Sequence, residues 1–268
     1  MKQFVSSILR KLKLISIVDG GVYYYQRMKH RSSNNSFLMN NPSIKLPPDY
    51  MMYESFQLNY KSYYFDSKES AKWLVELISP YKNLNSKSVL DWGCGPGRII
   101  RHLPDLLANA HLFGTDYNKK SIDWCKKNLP DIRFDVNGIL PPLNYSDNQF
   151  DFIYGISIFT HFSENMHNIW MEELSRVLKA GAVLMLTTHG ESFKRKLTNM
   201  ELSTFEENKL VIRGNTSVGH RSYVAFQPKS YFKSLLNNFN VLKFIEGDVK
   251  SSNPQQDIWI LEKKKTID

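Results

Sequence analysis

Residues 89–98 read VLDWGCGPGR, a short apolar strand that ends in Asp91 and runs straight into Gly93, Gly95 and Gly97. Alternating glycines at a strand end make a turn whose backbone can lie flat against a ligand. Each lacks the Cβ that would hold the ligand away, and each tolerates φ > 0. With a helical segment expected over 98–107, the pattern predicts a strand–turn–helix unit at the carboxyl edge of a parallel sheet, where nucleotide-like cofactors bind. A dinucleotide fingerprint needs a small residue where Arg98 stands, which argues against an NAD-linked oxidoreductase.

The downstream chain continues the alternation of strand and helix that implies a mostly parallel sheet with helices on both faces. Strands are expected over 111–116, 132–136, 150–154 and 182–187, with a helix over about 164–178 and a turn at Lys179-Ala180-Gly181 before the last of them. The second strand ends in Asp116, whose carboxylate can accept from both hydroxyls of a ribose. Tyr117 beside it could lie against an adenine face. Further on, 228–238 reads as a helix, and 241–246 and 257–262 as closing strands.

The Asp-x-Gly-x-Gly-x-Gly run over 91–97 resembles the first motif of class I S-adenosylmethionine-dependent methyltransferases. The stretch ELSRVLKAGAVLMLT over 173–187 is similar to the signature that follows the core in that family. The resemblance implies a Rossmann-like α/β fold and S-adenosylmethionine as cofactor, with S-adenosylhomocysteine as product. It implies that Gly93, Cys94, Gly95 and Gly97 border the methionine moiety, with Asp91 beneath its amino end. It also places adenine-edge contacts at Asn137, Gly138 and Ile139, and Gly155 and Ile156 beside the cofactor. For Cys94, a small side chain in a tight turn is explanation enough.

Methyl transfer from a sulfonium is an in-line displacement on an activated donor, so the protein mainly positions the acceptor and, for a hydroxyl, removes its proton. His161, just past the fourth strand, is the leading candidate base; His189 and His220 are the others. An aromatic stretch over 50–65 precedes the core, and its Tyr50, Tyr53 and Tyr64, with Asp257 near the end, are candidate substrate contacts. The Asn/Asp-Pro-Pro-aromatic loop of nucleic-acid amino methylation is absent after the fourth strand, and no nucleophilic Cys stands near it. A sugar, glycan or other small-molecule acceptor remains, and no nucleic acid is expected. SIFTHF at 157–162, PPDY at 47–50 and QDIW at 256–259 loosely resemble bacterial methyltransferases of surface-glycan synthesis. Lipid, quinone or secondary-metabolite O- or N-methylation is the alternative, and a non-catalytic scaffold of a glycan-synthesis complex the alternative of another class.

The 268 residues suit one α/β domain with additions. Residues 1–49 read as a basic arm and linker, 50–85 as an aromatic lid and helix, and 86–268 as the core, with an insertion at about 191–227. The formal net charge is +9, and the seven cations of residues 1–31 face only Asp19, so most of the excess lies in the arm. Phe4, Val5, Ile8, Leu9, Leu12 and Ile15 recur there at helical spacing. Such a helix could pack on the domain, pair with a second copy in a homo-oligomer, or lie on an anionic membrane surface. Two cysteines without metal-ligand spacing predict no metal and a reducing, cytoplasmic setting, at the inner membrane face if the arm is used so.

Overall fold

The structure, a computed structural model, describes residues 15–214 and 223–265, with side chains from Val18 onward. The expected apolar positions of the arm before Ile15 lie outside the described residues, as does His220.

Among the described residues, nine strands follow one another: β1 (Ser88–Trp92), β2 (His111–Asp116), β3 (Arg133–Val136), β4 (Phe150–Gly155), β5 (Leu178–Thr188), β6 (Val211–Arg213), β7 (Val224–Phe226), β8 (Phe239–Ile245) and β9 (Asp257–Lys263). Seven of them form one sheet in the order β3-β2-β1-β4-β5-β9-β8, and β6 pairs with β7 apart from it. Neighbours from β3 to β5 are parallel, whereas β9 runs antiparallel to both β5 and β8. The order reverses between β1 and β4, so the chain ends that leave β1, β2 and β4 converge on one crevice.

Strand alternation builds a core on each side of the sheet. Leu90 and Trp92 face a cluster with Phe150, Phe159, Trp170 and Trp259, while Val89 faces Leu74, Ile100, Ile122, Phe152 and Tyr154. The helices that cover these faces include α3 (Tyr60–Ile78), α4 (Lys119–Asn128) and α5 (Glu164–Val177), which follow α1 (Ile15–Asn40) and α2 (Asp49–Ser55) in the chain; α6 (Asn199–Glu206) and α7 (Lys229–Ser234) come later.

Four local expectations change. The helix expected over 98–107 is a set of tight turns with a single 3₁₀ turn at Ile100–His102. Pro104 has no N–H to give to Ile100, so an α-helical ladder cannot run through it. The segment from Ser32 to Asn40 is helix rather than linker, because α1 seats Asn34 and Phe37 against the segment before α3. There Asn34 Nδ2 donates to the Leu58 carbonyl at 2.8 Å. The aromatic stretch over 50–65 runs into helix, since α3 already starts at Tyr60, where the Asn59 side chain caps it by accepting from Ser62 N–H. Finally, the turn at Lys179–Gly181 is absorbed into β5 as a bulge, with the register passing from Phe150↔Leu178 to Phe152↔Val183 and Gly181 at φ +68°.

The insertion is a small layer of its own. A 3₁₀ segment at Glu191–Lys196, α6 with its Thr198–Glu201 capping box, and the β6–β7 hairpin enclose Phe193, Leu197, Phe205, Val211 and Phe226.

Candidate active site

The glycine turn is clamped to the end of β2. The Thr115 carbonyl accepts from Gly93 N–H at 2.8 Å and from Cys94 N–H at 3.0 Å. Gly93, Gly95 and Gly97 have φ of +79°, +52° and +69°, but the glycines serve different ends. A Cβ on Gly93 would lie 2.1 Å from Ile158 Cδ1, and one on Gly97 2.8 Å from Leu129 Cδ1. Those two let the turn pack against the protein. A Cβ on Gly95 would meet nothing nearer than Ser55 Cβ at 3.9 Å, so this glycine keeps the backbone open toward a cavity.

That cavity, of about 300 Å³, lies over the carboxyl ends of β1, β2 and β4. Asp91, Gly93, Cys94, Gly95, Asp116, Tyr117, Ile156 and His161, all singled out in the sequence, line it. Asp116 is nearly fully buried, and each carboxylate oxygen accepts one backbone N–H: Oδ2 from Gly95 at 2.9 Å, Oδ1 from Asn118 at 2.7 Å. Burial raises its pKa against those two bonds. Asp91 is held deeper. Burial pushes its carboxyl up to about 7, opposed by the Tyr154 hydroxyl and the Arg98 guanidinium and reinforced by Asp116. The Tyr154 hydroxyl is itself fully buried on the cavity wall beside Asp91, and burial, with that carboxylate's charge, raises its pKa.

Arg98, the residue that breaks the dinucleotide pattern, lines the cavity with its guanidinium 4.5 Å from the Phe56 ring centroid and Nη1 3.4 Å from Ser67 Oγ. From α2, Met51, Glu54 and Ser55 complete the near wall. So the pre-core segment does border the cavity, but through these three residues rather than its tyrosines. Tyr53 donates to Asp19 Oδ1 at 2.8 Å, Tyr64 packs edge-on against His102, and Tyr50 is exposed. Arg98, Tyr154 and the α2 residues were not legible as site residues. Arg98 carried the only signal, a cation placed just after a strand that ends in a carboxylate.

His161 lines the cavity, as do Ser157 and Ile158. Its Nδ1 lies 2.6 Å from the Tyr223 carbonyl oxygen. A carbonyl only accepts, so Nδ1 carries a proton in this contact. Ser157 sits at φ +63°, donating its N–H to Thr187 Oγ1 at 2.8 Å, with its Oγ 2.7 Å from Gln256 Nε2.

Other expected site residues have structural work elsewhere. His189 donates through Nδ1 to the Ala225 carbonyl at 3.1 Å and takes a Gln256 N–H on Nε2 at 3.2 Å. Burial lowers its pKa to about 3, so it is a neutral strut outside the cavity. Asp257, also buried, accepts Gly247 N–H at 2.9 Å. Asn137 accepts from Thr115 Oγ1 at 2.8 Å and donates to the Gly138 carbonyl at 2.6 Å, and with Gly138 and Ile139 it stays off the cavity wall. Gly155 is glycine for Trp92, whose Cε3 would be 2.7 Å from a Cβ there. Among the described residues, no group of three or more His, Cys, Asp or Glu side chains is placed to hold a metal ion.

Residues 89–181 match a family described as a methyltransferase domain. The phthiotriol/phenolphthiotriol dimycocerosates methyltransferase 1 of Mycobacterium ulcerans is 30% identical over 154 residues, covering 53% of this chain and 55% of that protein. A malonyl-acyl-carrier-protein O-methyltransferase of Brevibacillus brevis is 25% identical over 174 residues, covering 61% and 58%. The chain thus spans little more than half the length of these relatives. Among solved structures, an S-adenosylmethionine-dependent methyltransferase of Methanosarcina mazei superposes with a TM-score of 0.56 at 21% identity, over 70% of this chain and 96% of that one. One from Mesorhizobium loti gives 0.55 at 14% identity, over 72% and 98%. The sheet is therefore the class I methyltransferase fold.

Proposed function

We infer that this chain, a class I S-adenosylmethionine-dependent methyltransferase in its fold and its matched domain, methylates a hydroxyl oxygen of a small or oligomeric acceptor, with a sugar of a surface-glycan precursor the first choice. Three features support S-adenosylmethionine as the cofactor. The Gly95 backbone borders open space, Asp116 keeps a second acceptor lone pair on each oxygen, and the Asp91 carboxyl lies buried on the cavity wall beside the Tyr154 hydroxyl. Asp91 would meet the ammonium, Asp116 the ribose hydroxyls, and Tyr117 the adenine face. Bound there, the cofactor would supply a methyl group already activated on a sulfonium.

One observation carries the choice of a hydroxyl: His161 lines the cavity with its Nδ1 held 2.6 Å from the Tyr223 carbonyl, which assigns the acid–base chemistry of the ring to Nε2. His161 takes the acceptor proton, and the cavity walls hold the oxygen in line. A lipid or acyl acceptor is the second reading, favoured by relatives named for dimycocerosates and for malonyl-acyl-carrier protein.

Calorimetry with S-adenosylmethionine and S-adenosylhomocysteine, with NAD as control, tests the cofactor. Micromolar binding of both adenosyl ligands and none of NAD is expected. Release of S-adenosylhomocysteine is then measured over a panel of sugar and lipid hydroxyl acceptors. Turnover confined to the lipids would replace the glycan reading, and failure of both adenosyl ligands to bind would leave a scaffold.

A further inference from the structure

The first half of α1 is apolar on two sides. Its inner side is occupied: Tyr23 packs edge-on against Tyr53 at 5.3 Å, Asp19 accepts the Tyr53 hydroxyl, and Arg27 Nε pairs with Asp49 Oδ2 at 2.9 Å. The outer side is not. Val18, Val22, Tyr25 and Met28 recur every three or four residues along it, and Tyr25 and Met28 are 65% and 78% exposed. Tyr24 extends the same surface. Lone exposed apolar side chains need no explanation, but a continuous helical stripe of them marks an interaction surface.

Charge identifies the partner. Lys29 and Arg31, both exposed, follow the stripe within one turn, and among the described residues neither forms an ion pair. Asp19 is the one acid between Met1 and Asn40, and it is turned to Tyr53, while Lys2, Arg10, Lys11 and Lys13 precede the helix in sequence. A second copy of the chain on this face would bring like charges together. An anionic lipid bilayer instead offers acyl chains to Val18, Val22 and Met28, an interfacial layer to the two tyrosines, and phosphates to the cations. We propose that the outer face of α1 docks the protein on an anionic membrane surface. No helix of the described residues is long and apolar enough to cross a bilayer, so the contact is peripheral. The docked helix is the one that Arg27–Asp49 and Asp19–Tyr53 tie to α2, which supplies Met51, Glu54 and Ser55 to the cavity. The inference stands independently of methyl transfer.

The test is co-sedimentation of the full chain with vesicles of phosphatidylcholine alone and of phosphatidylcholine with phosphatidylglycerol, at two salt concentrations. Binding is expected on the anionic vesicles only, weakened by salt. The Tyr25→Ser/Met28→Ser variant should partition at least about tenfold less, and Lys29→Glu/Arg31→Glu should lose about fivefold or more per cation. Both variants should keep the parent's helix content and affinity for S-adenosylhomocysteine, which separates a docking defect from a folding or cofactor defect. Absence of binding by the parent, equal binding to both vesicle types, or undiminished binding by Tyr25→Ser/Met28→Ser would overturn the proposal. So would a concentration-dependent dimer, seen without vesicles and abolished by the same pair, which would make a second copy the occupant.

Discussion

The carbonyl oxygen of Tyr223 lies 2.6 Å from Nδ1 of His161, across 62 residues of chain. Two residues along the same edge, the Ala225 carbonyl holds Nδ1 of His189 at 3.1 Å. Gln227 continues the edge, accepting His189 N–H on Oε1 at 3.0 Å and donating to the Phe159 carbonyl at 2.8 Å. The inserted hairpin is thereby stitched to the loops after β4 and β5, and it fixes the same tautomer in both histidines. Their fates then differ, because Gln256 occupies Nε2 of His189 while His161 lines the cavity.

His161→Ala should leave affinity for S-adenosylhomocysteine within about twofold of the parent, since the groups assigned to the cofactor are Asp91, Asp116, Tyr117 and the glycine turn. Turnover should fall by about 10²–10⁴, the usual contribution of a general base. Calorimetry and initial rates on one acceptor check the two halves, and full activity would remove His161 from the mechanism.

Two alanine substitutions in the glycine turn should fail differently. Gly93→Ala drives a methyl into Ile158 and should destabilise the fold by several kcal/mol, of the order that overpacking and a positive φ together cost, about 2–5 kcal/mol. Gly95→Ala has room within the protein and carries only the backbone cost, about 1–2 kcal/mol. It should fold and yet bind S-adenosylmethionine at least about tenfold more weakly, because its methyl enters the cavity. Thermal melts with and without the ligand separate the cases.

Asp116→Ala should weaken both adenosyl ligands by about 1.5–3 kcal/mol for each charge-assisted bond to a ribose hydroxyl. The same change frees Gly95 and Asn118 N–H, so part of the loss will appear as lower stability of the ligand-free protein. Comparison with 2′- and 3′-deoxy analogues isolates the ribose part. Unchanged affinity for those analogues relative to the parent ligand would refute the ribose assignment.

Asp91 sets a pH dependence whose sign is opposite to that of an ordinary salt-bridged carboxylate. Its folded pKa of about 7 stands above the unfolded value of about 3.9, so the folded state holds the extra proton between them. Its contribution is fully present below the lower value and is lost as pH rises through the upper one, an effect of up to about 4 kcal/mol. Asp257, raised to about 6, adds the same sign in a lower window. His189, lowered to about 3, works with the opposite sign, its contribution being present above about 6.5 and lost as pH falls through about 3. Asp91→Asn should flatten the alkaline limb of the melting-temperature profile. Binding an ammonium group at Asp91 should release a proton near pH 7, visible as a buffer-dependent enthalpy in calorimetry.

Local chemistry makes much of this protein legible in the order of its residues. The glycines at 93, 95 and 97, the carboxylates closing β1 and β2, and the apolar periods of β1, β2, β4 and β9 are properties of neighbouring residues. They specify strand, turn and face wherever the chain goes. The class of fold and the core of the cavity, from Asp91 to Asp116, follow from them. Where a reading depended on residues far apart, it changed. Ser32–Asn40 looks like linker by composition and is helix because Asn34 and Phe37 find buried seats near Leu58 and Tyr60. Asp257 and His189 look like site residues and are struts, since Gly247, Ala225 and Gln256 reach them first. Arg98 and Tyr154 enter the site for the converse reason, being brought to Asp91 by the packing of the turn and β4 on β1. Which segments form the sheet and where its ligand edge lies depend on local period and backbone freedom, so both are already written in the order of the residues. The tertiary structure alone decided which polar groups are already satisfied and which still face the cavity, because a hydrogen bond such as Ser157 to Gln256 joins side chains 99 residues apart.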